Sequence, residues 1–365
     1  MSKKHNAHVI IFGPEIWNLQ QNGGVSRYCY ELIRNLHNLG IEVRVLQTEN
    51  NNDYTRKIDP SIVCNIKRNR AKDVRDAISS IMQNFEQGIY HATYYATKNL
   101  KVAKKQELKT VITVHDLIGE IFPTKTRWYQ RRNHEQERSS KICDALIAVS
   151  NNTKNDIEEF YGIRENNIRV VYLGVSEMES IRPVNDLAKP PFILHVGKRG
   201  GYKNFTTTLE AVGECHALRD LNIVAFGGGA ITDEEMIAIT EAKMESRVIH
   251  ITGGDEILGH LYKSAIALVY PSIYEGFGIP PLEAMRFNCP VIASNTSSIP
   301  EVCGDSVMYF DCTSTTELQE AILQLINKTG HYSTINARSH SLSYTWEKTA
   351  KETLDVYRNV ITAEK

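Results

Sequence analysis

Long hydrophobic runs are missing from this chain of 365 residues. No stretch approaches the roughly twenty consecutive apolar residues of a membrane-spanning helix, and Met1 to Asn6 lack the apolar core of a signal peptide. Hydrophobic residues make up 42% and charged residues 23% of the chain, which is typical of a soluble globular protein. We therefore expect a soluble protein of the cytoplasm.

Cysteine pairs with a recognisable spacing are also missing. The seven cysteines are odd in number, and no two of them form a Cys-x-x-Cys motif. This pattern argues against a zinc site and against a disulfide framework, and it favours a reducing compartment.

The net charge of −1 conceals an uneven distribution. Residues 1–180 contain 26 Lys and Arg against 21 Asp and Glu, whereas residues 181–365 contain 16 against 22. The basic residues of the first half cluster in Lys67–Lys72, Lys98–Lys109 and Arg127–Arg132. Such clusters are typical either of a solvated surface or of one that attracts membrane phospholipid or a pyrophosphate-linked acceptor. Nucleic acid is not expected as a partner, because no recognised nucleic-acid-binding motif appears in the chain.

Apolar segments alternate with amphipathic helical stretches along the chain, which predicts a doubly wound α/β architecture. The length favours two domains. The strands predicted for the first domain are His8–Phe12, Ile41–Leu46, Val111–Val114, Ala145–Val149 and Ile168–Tyr172. Those predicted for the second are Phe192–Val196, Asn222–Phe226, Val248–Ile251, Ala265–Tyr270 and Val291–Ala293.

The polar, proline-containing segment Ile181–Pro191 separates the two sets of strands and predicts a linker. We therefore predict a first Rossmann-like domain at residues 1–182 and a second at residues 183–340. The remaining residues, 341–365, are predicted to carry a C-terminal helix that runs from Thr345 to Arg358.

The most informative segment extends from Tyr274 to Met285 and has the sequence YEGFGIPPLEAM. It follows an apolar strand, begins with glycines, and carries two prolines where a helix can start, because the first helical turn needs no donor from proline. Glu275 in the turn and Glu283 in the helix flank free backbone N–H groups. The N–H groups suit phosphate and the carboxylates suit sugar hydroxyls, so the segment predicts a nucleotide-sugar site.

Glu275 and Glu283, separated by seven residues, match the E-x7-E element of retaining glycosyltransferases of the GT-B fold. With Cys289–Asn295 and Ile299–Asp305 they resemble glycosyltransferase family 4, and within it the bacterial mannosyltransferase-like branch that builds surface polysaccharides. The resemblance is densest in the last half of the chain. It implies a GT-B type α/β fold: two facing Rossmann-like domains with parallel sheets, an interdomain cleft, and a C-terminal helix that crosses back to the first domain.

The resemblance also implies roles for residues at the carboxyl ends of strands, where open parallel sheets bind ligands. Glu275 is expected to contact the hexose or the leaving group, and Glu283 the ribose hydroxyls. The backbone N–H groups that face the donor are expected from Gly276, Phe277, Gly278 and Ile279.

The glycine-rich loop Gly197–Phe205 is implied to hold the donor diphosphate with an Arg/Lys pair. Lys203 matches the lysine of that pair, while Lys198 and Arg199 both suit its second cation. We expect Arg199 to act with Lys203, because two cations would neutralise the charge that develops on the departing diphosphate.

Further candidates follow other predicted strands. The resemblance places His115 against the transferred sugar, although a histidine there also suits the capping of local backbone. His91 is a weaker candidate of the same kind, Asp116 is expected to be structural, and Gly227 marks a loop that passes near the nucleotide.

Two further groups of candidate residues lie in the first half of the chain. Gly23 and Gly24 resemble the family's glycine-rich loop and are expected to bind the donor, whereas Arg27 behind them can pair with a charge and is expected on the acceptor side. Arg127 and Arg131 suit either contact with an acceptor or the exposed face of an amphipathic helix.

These features predict a retaining glycosyltransferase that moves a hexosyl unit from a nucleoside-diphosphate sugar to a lipid-linked or surface-polysaccharide glycan. A GDP-mannose-like donor is favoured by the family resemblance alone. No Asp-x-Asp triplet occurs, and cationic side chains with helix N-termini can hold a diphosphate without a bridging ion, so we expect no metal and no other cofactor. The basic clusters make the inner face of the cytoplasmic membrane a further expected partner.

Three alternatives stay open. A nucleotide-sugar epimerase on the same scaffold would convert the donor without an acceptor. A phosphorylase would carry pyridoxal phosphate, for which the chain is short, and a non-enzymatic two-lobed sugar-binding protein is disfavoured by the missing signal peptide. A nicotinamide-dependent enzyme is disfavoured because the chain's first glycine loop is not a G-x-G-x-x-G motif.

Overall fold

The structure, a computed structural model, describes residues 8–124, 126–178, 191–329 and 332–362. The chain forms two compact units, which we call unit 1 (Met1–Gly174 with Thr345–Lys365) and unit 2 (Val175–Tyr344). The predicted boundary at 182/183 and the predicted linker Ile181–Pro191 lie outside the described residues, apart from Pro191.

Unit 1 contains a seven-stranded sheet in which all neighbouring strands are parallel. Its strands are β1 Val9–Phe12, β2 Val43–Gln47, β3 Val63–Asn65, β4 Gly88–Ala92, β5 Lys109–Val114, β6 Ala145–Ala148 and β7 Ile168–Val170. They lie in the order β3-β2-β1-β4-β5-β6-β7. The helices between them are α1 Gly24–Asn38, α2 Ala71–Ile81, α3 Thr97–Lys105, α4 Ile118–Ile121, α5 Arg127–Ile142 and α6 Asn151–Tyr161.

Unit 2 contains a six-stranded sheet, also parallel throughout. Its strands are β8 Phe192–Val196, β9 Asn222–Phe226, β10 Val248–Ile251, β11 Leu268–Tyr270, β12 Val291–Ser294 and β13 Met308–Phe310, in the order β10-β9-β8-β11-β12-β13. Its helices are α7 Phe205–Glu214, α8 Asp233–Glu241, α9 Asp255–Ser264, α10 Ile279–Arg286, α11 Ile299–Cys303, α12 Thr315–Asn327 and α13 Thr334–Leu342. The last helix of the chain, α14 Trp346–Thr362, belongs to unit 1.

The central strands are apolar over nearly their whole length because helices cover both faces of a parallel sheet. Every residue of β1, β6, β8 and β12 is buried. The two parallel-sheet α/β units confirm the predicted fold class.

The predicted strands Phe192–Val196, Asn222–Phe226 and Val248–Ile251 are confirmed with the same bounds. By contrast, β2 begins at Val43 and not at Ile41, because the Ile41 N–H still bonds to the Leu36 carbonyl and closes the end of α1. The edge strands β3 and β13 escaped prediction because each has only three residues and neither is fully buried.

A buried chain of polar groups ties α14 to the sheet of unit 1. The Tyr357 hydroxyl lies 2.5 Å from His91 Nδ1, and His91 Nε2 lies 3.1 Å from the Thr113 hydroxyl. That hydroxyl in turn lies 2.8 Å from the hydroxyl of Tyr28. His91 therefore lies inside β4 with both ring nitrogens occupied, whereas the sequence predicted it at a strand end. Burial, with a smaller contribution from His115, lowers the pKa of His91 to about 3, so this imidazole is neutral near pH 7.

The Tyr357→Phe substitution should destabilise the protein by about 1–3 kcal/mol, because it leaves a buried imidazole nitrogen without its partner. The measurement is the free energy of unfolding in urea. The control is Tyr129→Phe, which removes a hydroxyl from the exposed side chain of a residue on α5 and should change that free energy by less than about 0.5 kcal/mol. Equal effects of the two variants would contradict a stabilising role for the Tyr357–His91 contact.

Candidate active site

The strand order of unit 2 reverses between β8 and β11, which pair side by side at the centre of the sheet. Open α/β sheets bind their ligands beyond the carboxyl ends of the strands at such a switch point. The loop after β8 carries Lys203, and the loop after β11 carries Glu275. The ammonium of Lys203 lies 2.6 Å from Glu275 Oε1, so an ion pair spans the switch point.

The ion pair is largely shielded from water. The side chains of Lys203 and Glu275 are only 14% and 10% exposed. The Lys203 ammonium also lies 3.4 Å from the Tyr270 hydroxyl, and it lies 5.4 Å and 5.3 Å from the ring centroids of Tyr202 and Tyr270. Burial, reinforced by the nearby Glu275 carboxylate, raises the pKa of Tyr270 well above its usual range, which keeps this hydroxyl neutral.

Two serines fix the backbone on either side of the Glu275 side chain. The Glu275 N–H donates to Ser297 Oγ at 2.9 Å, and the Ser298 hydroxyl lies 2.8 Å from the Glu275 carbonyl and 3.0 Å from the Phe277 carbonyl. These serines were not predicted as part of the site. The only sequence signal for them is the run of polar residues Asn295–Ser298 directly after β12.

The turn between β11 and α10 brings backbone N–H groups and a second carboxylate to the same end of unit 2. Gly278 is the N-cap residue of α10 and has φ +97°, in the left-handed region that favours glycine. The prolines predicted at the helix start occupy its first turn. Glu283, in the middle of α10, is 4% exposed, and its Oε2 accepts a hydrogen bond from the Tyr262 hydroxyl at 3.2 Å. Predicted donor residues Gly276, Phe277, Gly278 and Ile279 all lie in this turn or at the first helical position.

In the structure Arg199 already has partners within the protein, and its predicted contact with the diphosphate stays a prediction. Its guanidinium is fully buried and donates to Glu235 and to carbonyls of the loop after β9, at distances of 2.8–3.0 Å. A side chain with these partners cannot also hold a diphosphate without giving them up. The exposed cation of this loop is Lys198.

Gly227, predicted near the nucleotide, opens the loop after β9. Its carbonyl accepts from Arg199 Nη1 at 2.8 Å and lies 3.0 Å from His250 Nε2. On the neighbouring strand, His195 Nε2 lies 2.9 Å from the Lys198 carbonyl, so a histidine inside β8 holds the loop that follows it. Burial, with smaller contributions from nearby Lys203 and Arg199, lowers the pKa of His195 to about 4. Neither histidine was predicted, because each lies inside an apolar strand.

The remaining predicted residues lie in unit 1. His115 directly follows β5, and its ring meets the edge of the Tyr28 ring at a centroid distance of 4.8 Å. Burial lowers the pKa of His115 to about 4, so this imidazole is neutral near pH 7. Gly23 caps α1, Gly24 begins it, and Arg27 follows in its first turns. The start of α1 and the end of β5 therefore meet through Tyr28.

Arg127 and Arg131 lie in the first turns of α5 and are exposed. The same stretch exposes Trp128 and Tyr129, which are 60% and 39% exposed. Among the described residues, no hydrogen bond, ion pair or ring contact joins these side chains to His115 or to α1, so their predicted contact with an acceptor stays a prediction.

Within the residues that the structure describes, no group of three or more His, Cys, Asp or Glu side chains is arranged to hold a metal ion. The helices of that same part of the chain include none that is both long enough and apolar enough to cross a bilayer.

Comparison with known proteins identifies the family. The model of "Glycosyltransferase Family 4" matches residues 22–178, and the model of "Glycosyl transferases group 1" matches residues 177–341. The O-antigen chain mannosyltransferase B of Escherichia coli is 24% identical over 92% of this chain and 96% of its own length. The O-antigen chain mannosyltransferase RfbU of Salmonella typhimurium is 31% identical over 58% of this chain and 59% of its own.

The fold is that of the solved structure of Anabaena Alr3699/HepE in complex with UDP and glucose. It superimposes with a TM-score of 0.75 at 15% identity, over 96% of this chain and 100% of that one. At this identity the likeness concerns the fold alone. With family models that together extend from residue 22 to residue 341, the chain belongs to the family 4 and group 1 glycosyltransferases of the GT-B fold, and it is a hexosyltransferase.

Proposed function

We propose that this glycosyltransferase moves a hexosyl unit from a nucleoside-diphosphate sugar to a lipid-linked or surface-polysaccharide glycan, with retention of anomeric configuration and without a metal ion. The Lys203–Glu275 ion pair at the switch point of unit 2 carries the proposal. A cation held there can stabilise the negative charge that develops on a departing diphosphate. The carboxylate beside it can accept hydrogen bonds from sugar hydroxyls.

The nature of the donor and the acceptor is proposed from the relatives. Both mannosyltransferases named above act in O-antigen chains according to their names, which favours a GDP-mannose-like donor and a polysaccharide acceptor here. The exposed Arg127, Trp128 and Arg131 of α5 support an anionic acceptor, for which a pyrophosphate-linked lipid has suitable charge. The same side chains suit peripheral contact with an anionic membrane.

The neutral imidazole of His115 fits a role beside an uncharged part of the substrate. With a pKa of about 4, it can donate or accept a hydrogen bond to a sugar hydroxyl at neutral pH without adding charge. We propose that the leaving phosphate oxygen takes the acceptor proton on the same face of the sugar, as the family resemblance implies.

The first test is a nucleotide panel followed by a transfer assay. We expect GDP to stabilise the protein against heat more than the same concentration of UDP, ADP or CDP. At a hundred times its dissociation constant, GDP should stabilise the protein by about 2.7 kcal/mol relative to the ligand-free state. GDP-mannose with a panel of lipid-pyrophosphate-linked oligosaccharides should then yield a product with an α-linked mannose, detected by mass and by the anomeric proton resonance. An epimerised nucleotide sugar formed without acceptor would favour the epimerase instead, and failure of every diphosphate to bind would contradict the proposal.

Removing the cation should abolish most of the activity. Lys203→Met is expected to lower kcat/KM by about a hundredfold or more, a loss typical of one missing electrostatic contact to a transition state. The wild-type enzyme should keep its activity in EDTA, because the protein itself supplies the positive charge. Lys263→Met, which removes an exposed lysine at the end of α9, is the control for charge alone. Loss of wild-type activity in EDTA, restored by Mg²⁺, would contradict metal-independent transfer.

Glu283 should recognise the ribose. We expect the wild-type protein to bind GDP about tenfold more tightly than 2′,3′-dideoxy-GDP, because the hydroxyls bond to a buried carboxylate. Glu283→Gln should lose most of this preference while still binding dideoxy-GDP as the wild type does. The exposed Glu256 of α9 provides the control variant Glu256→Gln. Binding constants from titration calorimetry decide the matter, and an unchanged preference in Glu283→Gln would remove Glu283 from the ribose site.

A further inference from the structure

Arg199 is among the largest fully buried side chains of the protein. Its Nε donates to Glu235 Oε2 at 3.0 Å, and its Nη1 donates to the Gly227 carbonyl at 2.8 Å. Its Nη2 donates to the carbonyls of Gly229 and Ala230 at 2.9 Å and 3.0 Å. One guanidinium thus bonds to three carbonyls of a four-residue segment, Gly227–Ala230, which we call the glycine loop.

The glycine loop has a conformation that needs such a partner. Gly227, Gly228 and Gly229 have φ values of +75°, +75° and +81°, three consecutive residues in the left-handed region. The loop also packs tightly on the neighbouring loop, since a Cβ atom on Gly228 would lie 2.4 Å from the Gly197 carbonyl oxygen. Glycine makes this conformation accessible, but it also makes the loop flexible, so the bonds from Arg199 are what select one arrangement.

The bonds from Arg199 fix where the backbone donors of the glycine loop point. In a trans peptide the carbonyl of one residue and the N–H of the next point in opposite directions. Because the carbonyls of Gly227, Gly229 and Ala230 turn towards the guanidinium, the N–H groups of Gly228, Ala230 and Ile231 turn away from it. Gly228 and Ala230 are exposed, and in the described part of the chain these three N–H groups have no acceptor. Backbone N–H groups without an acceptor in the protein are available to donate to an anion.

Glu235 holds the guanidinium in place from the other side. The same Oε2 that accepts from Arg199 also accepts from the Thr232 N–H at 3.0 Å, and the Glu235 N–H donates to Thr232 Oγ1 at 3.2 Å. This reciprocal pair is a capping box at the start of α8. The carboxylate of Glu235 therefore joins the N-terminus of α8 to Arg199 and, through Arg199, to the glycine loop.

We propose that Arg199 and Glu235 are positioning residues: they shape the glycine loop so that its N–H groups bind the diphosphate of the donor, while Lys198 and Lys203 supply the charge that contacts it. This inference rests on the proposed function, and it assigns to Arg199 a role different from the direct phosphate contact that its place in the sequence predicts. A direct contact would require the guanidinium to leave the three carbonyls and the carboxylate that it now bonds.

The Glu235→Gln variant separates the two roles. If Arg199 contacts the diphosphate directly, removing the adjacent negative charge leaves GDP binding unchanged or makes it tighter. If Arg199 positions the loop, the loss of its charged partner weakens GDP binding by about three- to tenfold. Glutamine keeps the capping box, so α8 should remain folded. The control is Glu234→Gln, which removes the same charge from the exposed neighbouring position and should leave GDP binding within about twofold of the wild type.

The affinity for guanosine distinguishes a local change in the glycine loop from a general loss of structure. A general loss of structure would weaken the binding of guanosine as well as that of GDP. We expect Glu235→Gln to bind guanosine within about twofold of the wild type, because the glycine loop contacts the diphosphate and not the nucleoside. Hydrogen exchange adds a local measurement: GDP should slow exchange in the peptide that contains Gly228, Ala230 and Ile231 in the wild type, and less so in Glu235→Gln. An equal loss of affinity for GDP and guanosine would overturn the positioning role.

A second variant keeps the test decisive should Glu235→Gln unfold. Arg199→Lys retains the charge but cannot span three carbonyls and a carboxylate, so it should lose GDP affinity as strongly as Arg199→Met does. Substantial rescue by lysine would overturn the proposal in favour of direct contact. A wild-type protein that binds none of GDP, UDP, ADP and CDP would overturn the proposed function itself, whereas wild-type binding that Glu235→Gln leaves intact would overturn only the positioning role.

Discussion

The ion pair between Lys203 and Glu275 imposes a strict physical demand on unit 2. Taking two charges out of water is costly, and their attraction compensates only when the geometry is good and further hydrogen bonds satisfy both groups. The structure meets this demand from several elements: the rings and hydroxyl of Tyr202 and Tyr270 surround the ammonium, and two serines after β12 hold the backbone of Glu275. The loops after β8, β11 and β12 are therefore arranged around one pair of charges.

In unit 2, the side chains that carry positive charge near the switch point differ from those that hold the loops in place. The lysines of the loop after β8 carry positive charge. In contrast, Arg199, His195 and His250 hydrogen-bond to backbone carbonyls of the loops after β8 and β9. A histidine that is neutral because burial lowers its pKa, as in His195, can hold a carbonyl without adding a charge beside the ion pair. Burial likewise lowers the pKa of His91 and His115 in unit 1, so both are neutral near pH 7.

The sequence was sufficient to predict strand bounds and turns, which depend on neighbouring residues. Continuous apolar runs gave the bounds of β8, β9 and β10, and the glycine–proline turn placed Glu275 and Glu283 around the start of α10. The partners of Arg199 within the protein could not be predicted, because an arginine in a glycine-rich loop has the same local sequence whether it faces a ligand or a carbonyl. Its partners lie 28 to 36 residues further along the chain, and no residue near Arg199 in the sequence indicates them. The serines of Asn295–Ser298 escaped for the same reason.

The place of α14 has a consequence for the order in which the protein forms on the ribosome. Unit 1 begins the chain and also ends it, and the Tyr357 hydroxyl reaches a histidine 266 positions earlier. All of unit 2 is synthesised before α14, so unit 1 lacks its last helix until synthesis of the chain is nearly complete. Because the entropy of closing a long loop rises only slowly with its length, a folded insertion of this size is a tolerable interruption. A chain that ended before residue 346 would contain the whole of unit 2 but a unit 1 without its last helix and without the Tyr357–His91 contact.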